Sequence, residues 1–141
     1  MQPPALARRV TVVPLPDPAV EAHGFAAGGE SVWRCYLPLI GPSSWLVYSR
    51  LAPLAVSADR SVVDVVELAR EIGLHPRPGR RDPLAQSLSR LEAFGLAEWR
   101  HNGAEYAVRR CLPALGDRQA ARLPQSARLF HFRAVHGGDA R

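Results

Sequence analysis

The chain has 141 residues, of which 47% are hydrophobic, so it is long enough to fold as one domain around its own core. Its formal net charge is +5, with 18 basic residues that are all arginine against 13 acidic ones. A pI near 10.2 favours an anionic partner, while the lack of a long apolar run or a secretory signal predicts a cytoplasmic protein without membrane contact.

Residues 1–30 are predicted to form an extended arm. Proline is frequent in this stretch, and the short apolar run at residues 10–13 is able to dock as a strand. Gly28 and Gly29 are then expected to form a flexible joint before the next segment.

Residues 31–115 are predicted to form the central domain. Residues 32–36 should make a short helical turn that stops early, because Pro38 disfavours helical geometry at the residue before it. Pro42 opens a longer helix that continues to about Leu54. The inner side of this helix is expected to carry Trp45, Tyr48, Leu51 and Ala52.

Two further helices have clear signals at both ends. Asp64 is suited to cap the first of them, which stops at Gly73, a residue that adopts left-handed cap geometry without strain. Asp82 and Pro83 open the second helix, because an acidic cap and a proline in the first turn both favour a helix start. This helix ends in the same way at Gly95.

A hairpin is predicted directly after the second helix. Residues 96–100 and 105–109 alternate as strands do, and Asn102-Gly103 between them favours a tight turn. Residues 61–63 are expected to supply the short first strand that completes the sheet.

Residues 116–141 are predicted to form a C-terminal helical extension and tail. The spacing over residues 124–135 predicts a helix that places Leu129, Phe132 and His136 close to one face. This part of the chain is basic as well.

The order of helix, turn, helix and hairpin resembles that of bacterial winged helix-turn-helix DNA-binding proteins. The run from Ser87 to Ala97 looks like the end of a recognition helix that passes into the first wing strand. Residues 36–42 and the aromatic residues after them are similar to the start of the winged helix domains in Gram-positive replication-initiation (primosomal) proteins. The resemblance implies a mainly α fold with a small β-hairpin wing (α+β), here with an N-terminal arm and a C-terminal helix.

The outward face of the second helix, residues 83–94, is predicted to read the major groove of double-stranded DNA. At 100° per residue, Leu84, Leu88 and Leu91 share the buried side. Arginine is able to pair with guanine and glutamine with adenine, while short side chains let the helix approach the bases. An ordinary solvated helix surface is the alternative. The residues predicted to face DNA are Gln86, Ser87, Ser89 and Arg90.

Phosphate contacts are predicted for the turn before this helix and for the hairpin. Helix N-termini attract anions, although the carboxylate of Asp82 at this terminus works against that attraction. The candidates in the turn are Arg77, Arg80 and Arg81. The candidates in the wing are Arg100, His101 and Asn102, and Asn102 is equally explained by turn chemistry.

Catalysis and metal binding have no support in the sequence. His131 and His136 do not share a helix face, and the two cysteines have no metal-binding spacing, so we expect reduced thiols, no metal and no cofactor. No phosphate-binding glycine loop or catalytic motif is present, so we do not expect an enzyme.

Two functions stay open at this point. The first is a sequence-specific DNA-binding protein at the nucleoid, acting as a transcriptional regulator. The second is a winged helix docking module in a transcription or replication complex, which should expose an apolar patch in place of the basic turn and polar helix face. A homodimer through the two terminal segments is also expected, because regulators often bind paired half-sites. In the alternative, both segments fold back on their own domain.

Overall fold

The computed structural model describes residues 6–136, which form an α+β fold with a small sheet, as predicted. The helices are α1 (Pro18–His23), α2 (Glu30–Ile40), α3 (Pro42–Ser57), α4 (Val65–Ile72), α5 (Pro83–Ala93), α6 (Asp117–Ala121) and α7 (Gln125–His136). The strands are β1 (Arg9–Pro14), β2 (Phe25–Ala26), β3 (Ser61–Asp64), β4 (Ala97–Arg100), β5 (Glu105–Val108) and β6 (Cys111–Leu112). Short 3₁₀ turns at Gly79–Arg81 and His101–Gly103 lie before α5 and between β4 and β5. Among the described residues, no helix is long and apolar enough to cross a membrane.

Strand β1 lies inside the larger sheet, whose strand order is β3-β1-β5-β4. It runs antiparallel to β3 and parallel to β5, with Thr11 opposite both Val62 and Glu105. The predicted arm therefore docks as a strand, and Val10 and Val12 are buried in the core. Strand β3 forms where the sequence predicts it and belongs to the same sheet as the hairpin, with β1 and its valines between them.

Helix α2 is longer than the sequence predicts, because it continues through Pro38 to Ile40. Pro38 is exposed and lies in the last turn of α2. Its missing N–H therefore removes one backbone hydrogen bond close to the helix end, where several backbone groups lack a partner within the helix. The packing of Cys35 and Tyr36 against the core outweighs this local cost. Helix α3 likewise continues through Pro53 and ends at Ser57.

The predicted ends of α4 and α5 are confirmed. The Asp64 carboxylate accepts hydrogen bonds from the backbone N–H groups of Val66 and Glu67, and Gly73 closes α4 with a φ of +81°. The Asp82 carboxylate accepts from the N–H of Ala85 at the start of α5. After α5 the backbone N–H of Leu96 donates to the carbonyl of Leu91 across Gly95, which has a φ of +80°.

One hydrophobic core joins all three segments predicted from the sequence. It includes Val12 and Phe25 from the arm, Tyr48 from α3 and Ala134 from α7. Strand β2 of the arm also pairs with β6, and an ion pair joins Asp17 to Arg109. The arm and the C-terminal helix thus fold back on their own chain.

Helix α7 forms where the sequence predicts it, and it packs mainly against α2. Its buried side carries Ala127, His131 and Ala134. Leu129 and Phe132 lie on the opposite side and are exposed to solvent.

Candidate nucleic-acid interface

The turn between α4 and α5 is held by its own hydrogen bonds. Besides capping α5, the Asp82 carboxylate accepts a hydrogen bond from the backbone N–H of Arg77 at 3.4 Å. The Nε2 atom of Gln86 on α5 donates to the carbonyl oxygen of Arg80 at 2.7 Å. The basic turn is therefore attached to the first turns of the helix that follows it.

Helix α5 buries the face that the sequence predicts. Leu84, Leu88 and Leu91 are buried, and the Tyr106 hydroxyl of β5 donates a hydrogen bond of 2.7 Å to the carbonyl oxygen of Leu88. Ser87 is buried as well, so its predicted place in the DNA interface is wrong. Three positions after Leu84, it lies only about 60° around the helix from that leucine and so faces the core.

Gln86 and Arg90 are exposed on the outward side of α5, and Ser89 between them is half-buried. The Nη2 atom of Arg90 donates to the carbonyl oxygen of Leu39 at 3.0 Å, and its guanidinium lies 5.5 Å from the ring centroid of Phe94. Because Gln86 is bonded to the turn, both predicted base-reading side chains are held by the protein itself.

Ion pairs divide the arginines of the described residues into two groups. Eight arginines pair with a carboxylate, and these are Arg8, Arg34, Arg50, Arg60, Arg70, Arg100, Arg109 and Arg110. Within residues 6–136, Arg77 and Arg81 of the turn have no such pair and are exposed. The same holds for Arg9 of β1, for Arg90 and for Arg118, Arg122, Arg128 and Arg133 of the C-terminal region. Cations without a carboxylate partner attract phosphate more strongly than neutralised ones.

The wing carries less available positive charge than the turn. Arg100 is bonded to Glu98 at 2.9 Å, and the His101 ring lies 3.3 Å from the Glu105 carboxylate. Glu105 is also paired with Arg60 at 2.7 Å. His101 and Asn102 both adopt left-handed backbone geometry, with φ of 52° and 57°, which fits turn chemistry.

The sequence did not predict the two contacts that hold the Arg90 side chain. The carbonyl of Leu39 is 51 positions away in the chain, so no local pattern could indicate that bond. The contact with Phe94 had a signal, because residues four apart share a helix face.

The cysteines and histidines do not form a reactive centre in the part of the chain that the structure describes. Cys35 and Cys111 are free thiols, and burial raises the pKa of Cys35 to about 11, which disfavours the reactive thiolate. Across residues 6–136 no group of three His, Cys, Asp or Glu side chains is placed to hold a metal ion.

Comparison with known proteins returned no relative. The chain matches no protein-family model, no curated protein and no solved structure. The turn, α5 and the hairpin are therefore the features from which a function is inferred.

Proposed function

We propose that the protein is a winged helix DNA-binding protein that reads specific sequences with α5 and acts as a transcriptional regulator. The observation that carries the proposal is the position of Arg77 and Arg81, two exposed arginines that form no ion pair within residues 6–136, in the turn that leads into α5. The element order from α3 to β5 supports the winged helix class, with β1 as an added strand in the sheet.

The two groups of polar residues have different roles in this proposal. Arg77 and Arg81 contact phosphates, together with Arg80, and so set the position of the protein on the duplex. Gln86 and Arg90 contact base edges in the major groove. Arg90 has to exchange its bond with Leu39 for one with a base, and the two bonds are of comparable strength, so the exchange costs little.

Docking of another protein on the turn, α5 and the wing is less well supported. A docking surface needs large apolar side chains that a partner is able to cover. The exposed large hydrophobic residues of the described chain are Trp33, Leu46, Val56, Val62, Leu129, Phe132 and Val135, so none belongs to the turn, α5 or the wing.

Selection of binding sites from random double-stranded DNA with the full chain tests the proposal. We expect an enriched sequence, and an affinity that falls steeply with salt because each neutralised phosphate adds about −0.9 to the logarithmic slope. The double variant Arg77→Ala, Arg81→Ala should bind all sequences more weakly and with a smaller slope.

The matched control is Arg118→Ala with Arg122→Ala, which removes the same charge from the C-terminal region, where both side chains also lack ion pairs within the described residues. This control should keep the enriched sequence and most of the affinity. The proposal is overturned if the wild type enriches no sequence and the two double variants lose binding equally.

A further inference from the structure

Helix α7 has a second apolar face that nothing in the described chain covers. Its inner face packs against α2, whereas Leu129, Phe132 and Val135 are 50%, 59% and 40% exposed on the outer side. At 100° per residue these three side chains fall within an arc of about 120°, which is the width that one helix presents to a partner. Exposed apolar residues grouped in this way are typical of interaction sites.

Two arginines lie at this outer face, Arg133 beside Leu129 at one edge and Arg128 within the arc near Val135. Arg128 lies one turn before Phe132, and Arg133 lies one turn after Leu129, so each guanidinium is a neighbour of the apolar stripe. Both arginines are exposed, and neither has an ion pair within residues 6–136. Helix α7 contains no acidic residue, so its outer face combines the apolar stripe with positive charge alone.

A second copy of the chain is a poor occupant for this surface. A second α7 helix would bring another Arg128 and Arg133 to the interface and no carboxylate to pair with them. Such like-charge contacts disfavour pairing. DNA is a poor occupant as well, because phosphates gain nothing from covering leucine and phenylalanine.

We propose that the outer face of α7 binds an acidic amphipathic helix of another protein. The partner helix places leucine-like residues at positions i, i+3 or i+4 and i+7 against Leu129, Phe132 and Val135. Carboxylates beside its apolar stripe then meet Arg128 and Arg133. This inference goes beyond the proposed DNA binding and does not depend on it.

Helix α2 adds an exposed tryptophan and an arginine beside the outer face of α7. Trp33 of α2 is 44% exposed, and the Arg34 guanidinium lies 5.7 Å from its ring and 4.5 Å from the ring of Phe130 on α7. Tryptophan and arginine are the residues that most often dominate binding energy at protein interfaces. The junction of α2 and α7 thus offers an anchor beside the apolar stripe.

Selection from a displayed library of random helical peptides tests the proposal with the full chain. The library is selected in parallel on the wild type and on the variant Leu129→Ser, Phe132→Ser, which removes the stripe from the solvent side and leaves the buried side intact. We expect the wild type to enrich peptides with an apolar stripe and glutamate or aspartate beside it. Enrichment of peptides without acidic edges, or equal enrichment by both proteins, overturns the proposal.

Charge reversal provides a second, independent test of the acidic partner helix. A synthetic peptide with glutamate edges should bind the wild type about tenfold more tightly than the same peptide with lysine edges, and Arg128→Glu with Arg133→Glu should reverse that preference. The matched control is Val62→Ser, since Val62 is exposed but lies on β3, and it should change neither affinity.

Three outcomes contradict the acidic helix. The first is equal binding of both synthetic peptides. The second is self-association of the wild type at tens of micromolar that Phe132→Ser abolishes, which would assign the face to a second copy. The third is binding to phosphatidylglycerol vesicles without binding to the glutamate peptide, which would assign it to a membrane surface.

Discussion

Arg90 of α5 donates a hydrogen bond from Nη2 to the carbonyl oxygen of Leu39, at a distance of 3.0 Å. Leu39 lies in the last turn of α2, where backbone carbonyls lack partners within the helix. The side chain that we propose to read DNA therefore also ties α5 to the end of α2. Because these two roles require different partners, they are separable by experiment.

Arg90→Ala is expected to change which DNA sequences are bound and to lower stability slightly. Loss of a bidentate base contact should remove roughly 1–3 kcal/mol of discrimination at one position. Loss of the bond to Leu39 should lower the free energy of unfolding by about 0.5–1.5 kcal/mol. Selection sequencing measures the first effect, and thermal denaturation measures the second.

Arg80→Ala and Arg81→Ala are the comparison variants for Arg90→Ala. They should weaken binding to all sequences to a similar extent, because phosphate contacts carry little sequence information. If Arg90→Ala leaves the selected sequence unchanged, α5 is not the recognition helix.

Leu88→Ala is expected to destabilise the fold by about 2–5 kcal/mol, through lost burial and the cavity that remains. Leu88 is buried in the same core as Leu68, with Trp45 packed against that core. Leu46→Ala is the control, since Leu46 is a leucine of α3 that is 46% exposed, and it should change stability by less than about 0.5 kcal/mol. Thermal denaturation that gives the two variants equal stability would contradict this packing.

Stability is expected to fall as the pH drops below about 6.5, because of His131. Burial lowers the pKa of His131, with a smaller contribution from His136, and the ring packs edge-on against Phe25. Its Nε2 atom accepts a hydrogen bond of 3.0 Å from the backbone N–H of Leu115, which requires that this nitrogen carries no proton. The unfolded chain thus takes up a proton first, and stability is lost between pH 6.5 and the lower pKa of the folded state.

His131→Gln should flatten this part of the stability curve, because glutamine keeps an acceptor but does not titrate. His75→Gln is the control, since His75 is exposed, and it should leave the curve unchanged. The carboxylates of Asp17 and Asp64 affect stability at lower pH than His131 does, because hydrogen bonds and arginines lower the pKa of each below 3.8. A wild-type curve that is level between pH 7 and pH 5 would contradict the role of His131.

Local sequence signals predicted the region from α4 to β5 well. Caps at Asp64 and Asp82 and the glycines at 73 and 95 act within a few residues, so the sequence alone is enough to place them. Pro38 shows the limit of such signals. A proline disfavours helix at the residue before it, but the packing of α2 against the core outweighs this preference, and the helix continues through Pro38.

Contacts between distant parts of the chain could not be predicted in this way. The parallel pairing of β1 with β5 joins Thr11 to Glu105, and a pattern within one strand carries no information about its partner. The same applies to the proposed interface, where ion pairing decides which arginines remain available. Ser87 was misplaced for a different reason, since its small polar side chain gives no sign that its helical position is buried.

The fold leaves fewer apolar residues for the predicted homodimer interface than the sequence suggested. The valines of the arm that were expected to bury a partner are packed in the chain's own sheet. The exposed face of α7 is then the surface on which self-association would depend, and its two arginines oppose it. Light scattering on the full chain measures the oligomeric state directly.

The fragment 31–115, which the sequence predicts as the central domain, is not expected to fold by itself. It lacks β1, whose backbone bonds to β3 on one side and β5 on the other, so β3 would lose its partner in the sheet and β5 would keep only β4. It also lacks Phe25 and the inner face of α7, which belong to the same core. We expect circular dichroism of this fragment to show no cooperative thermal transition, whereas the full chain should show one. Cooperative unfolding of 31–115 would show that the arm and α7 are dispensable additions to an independent domain.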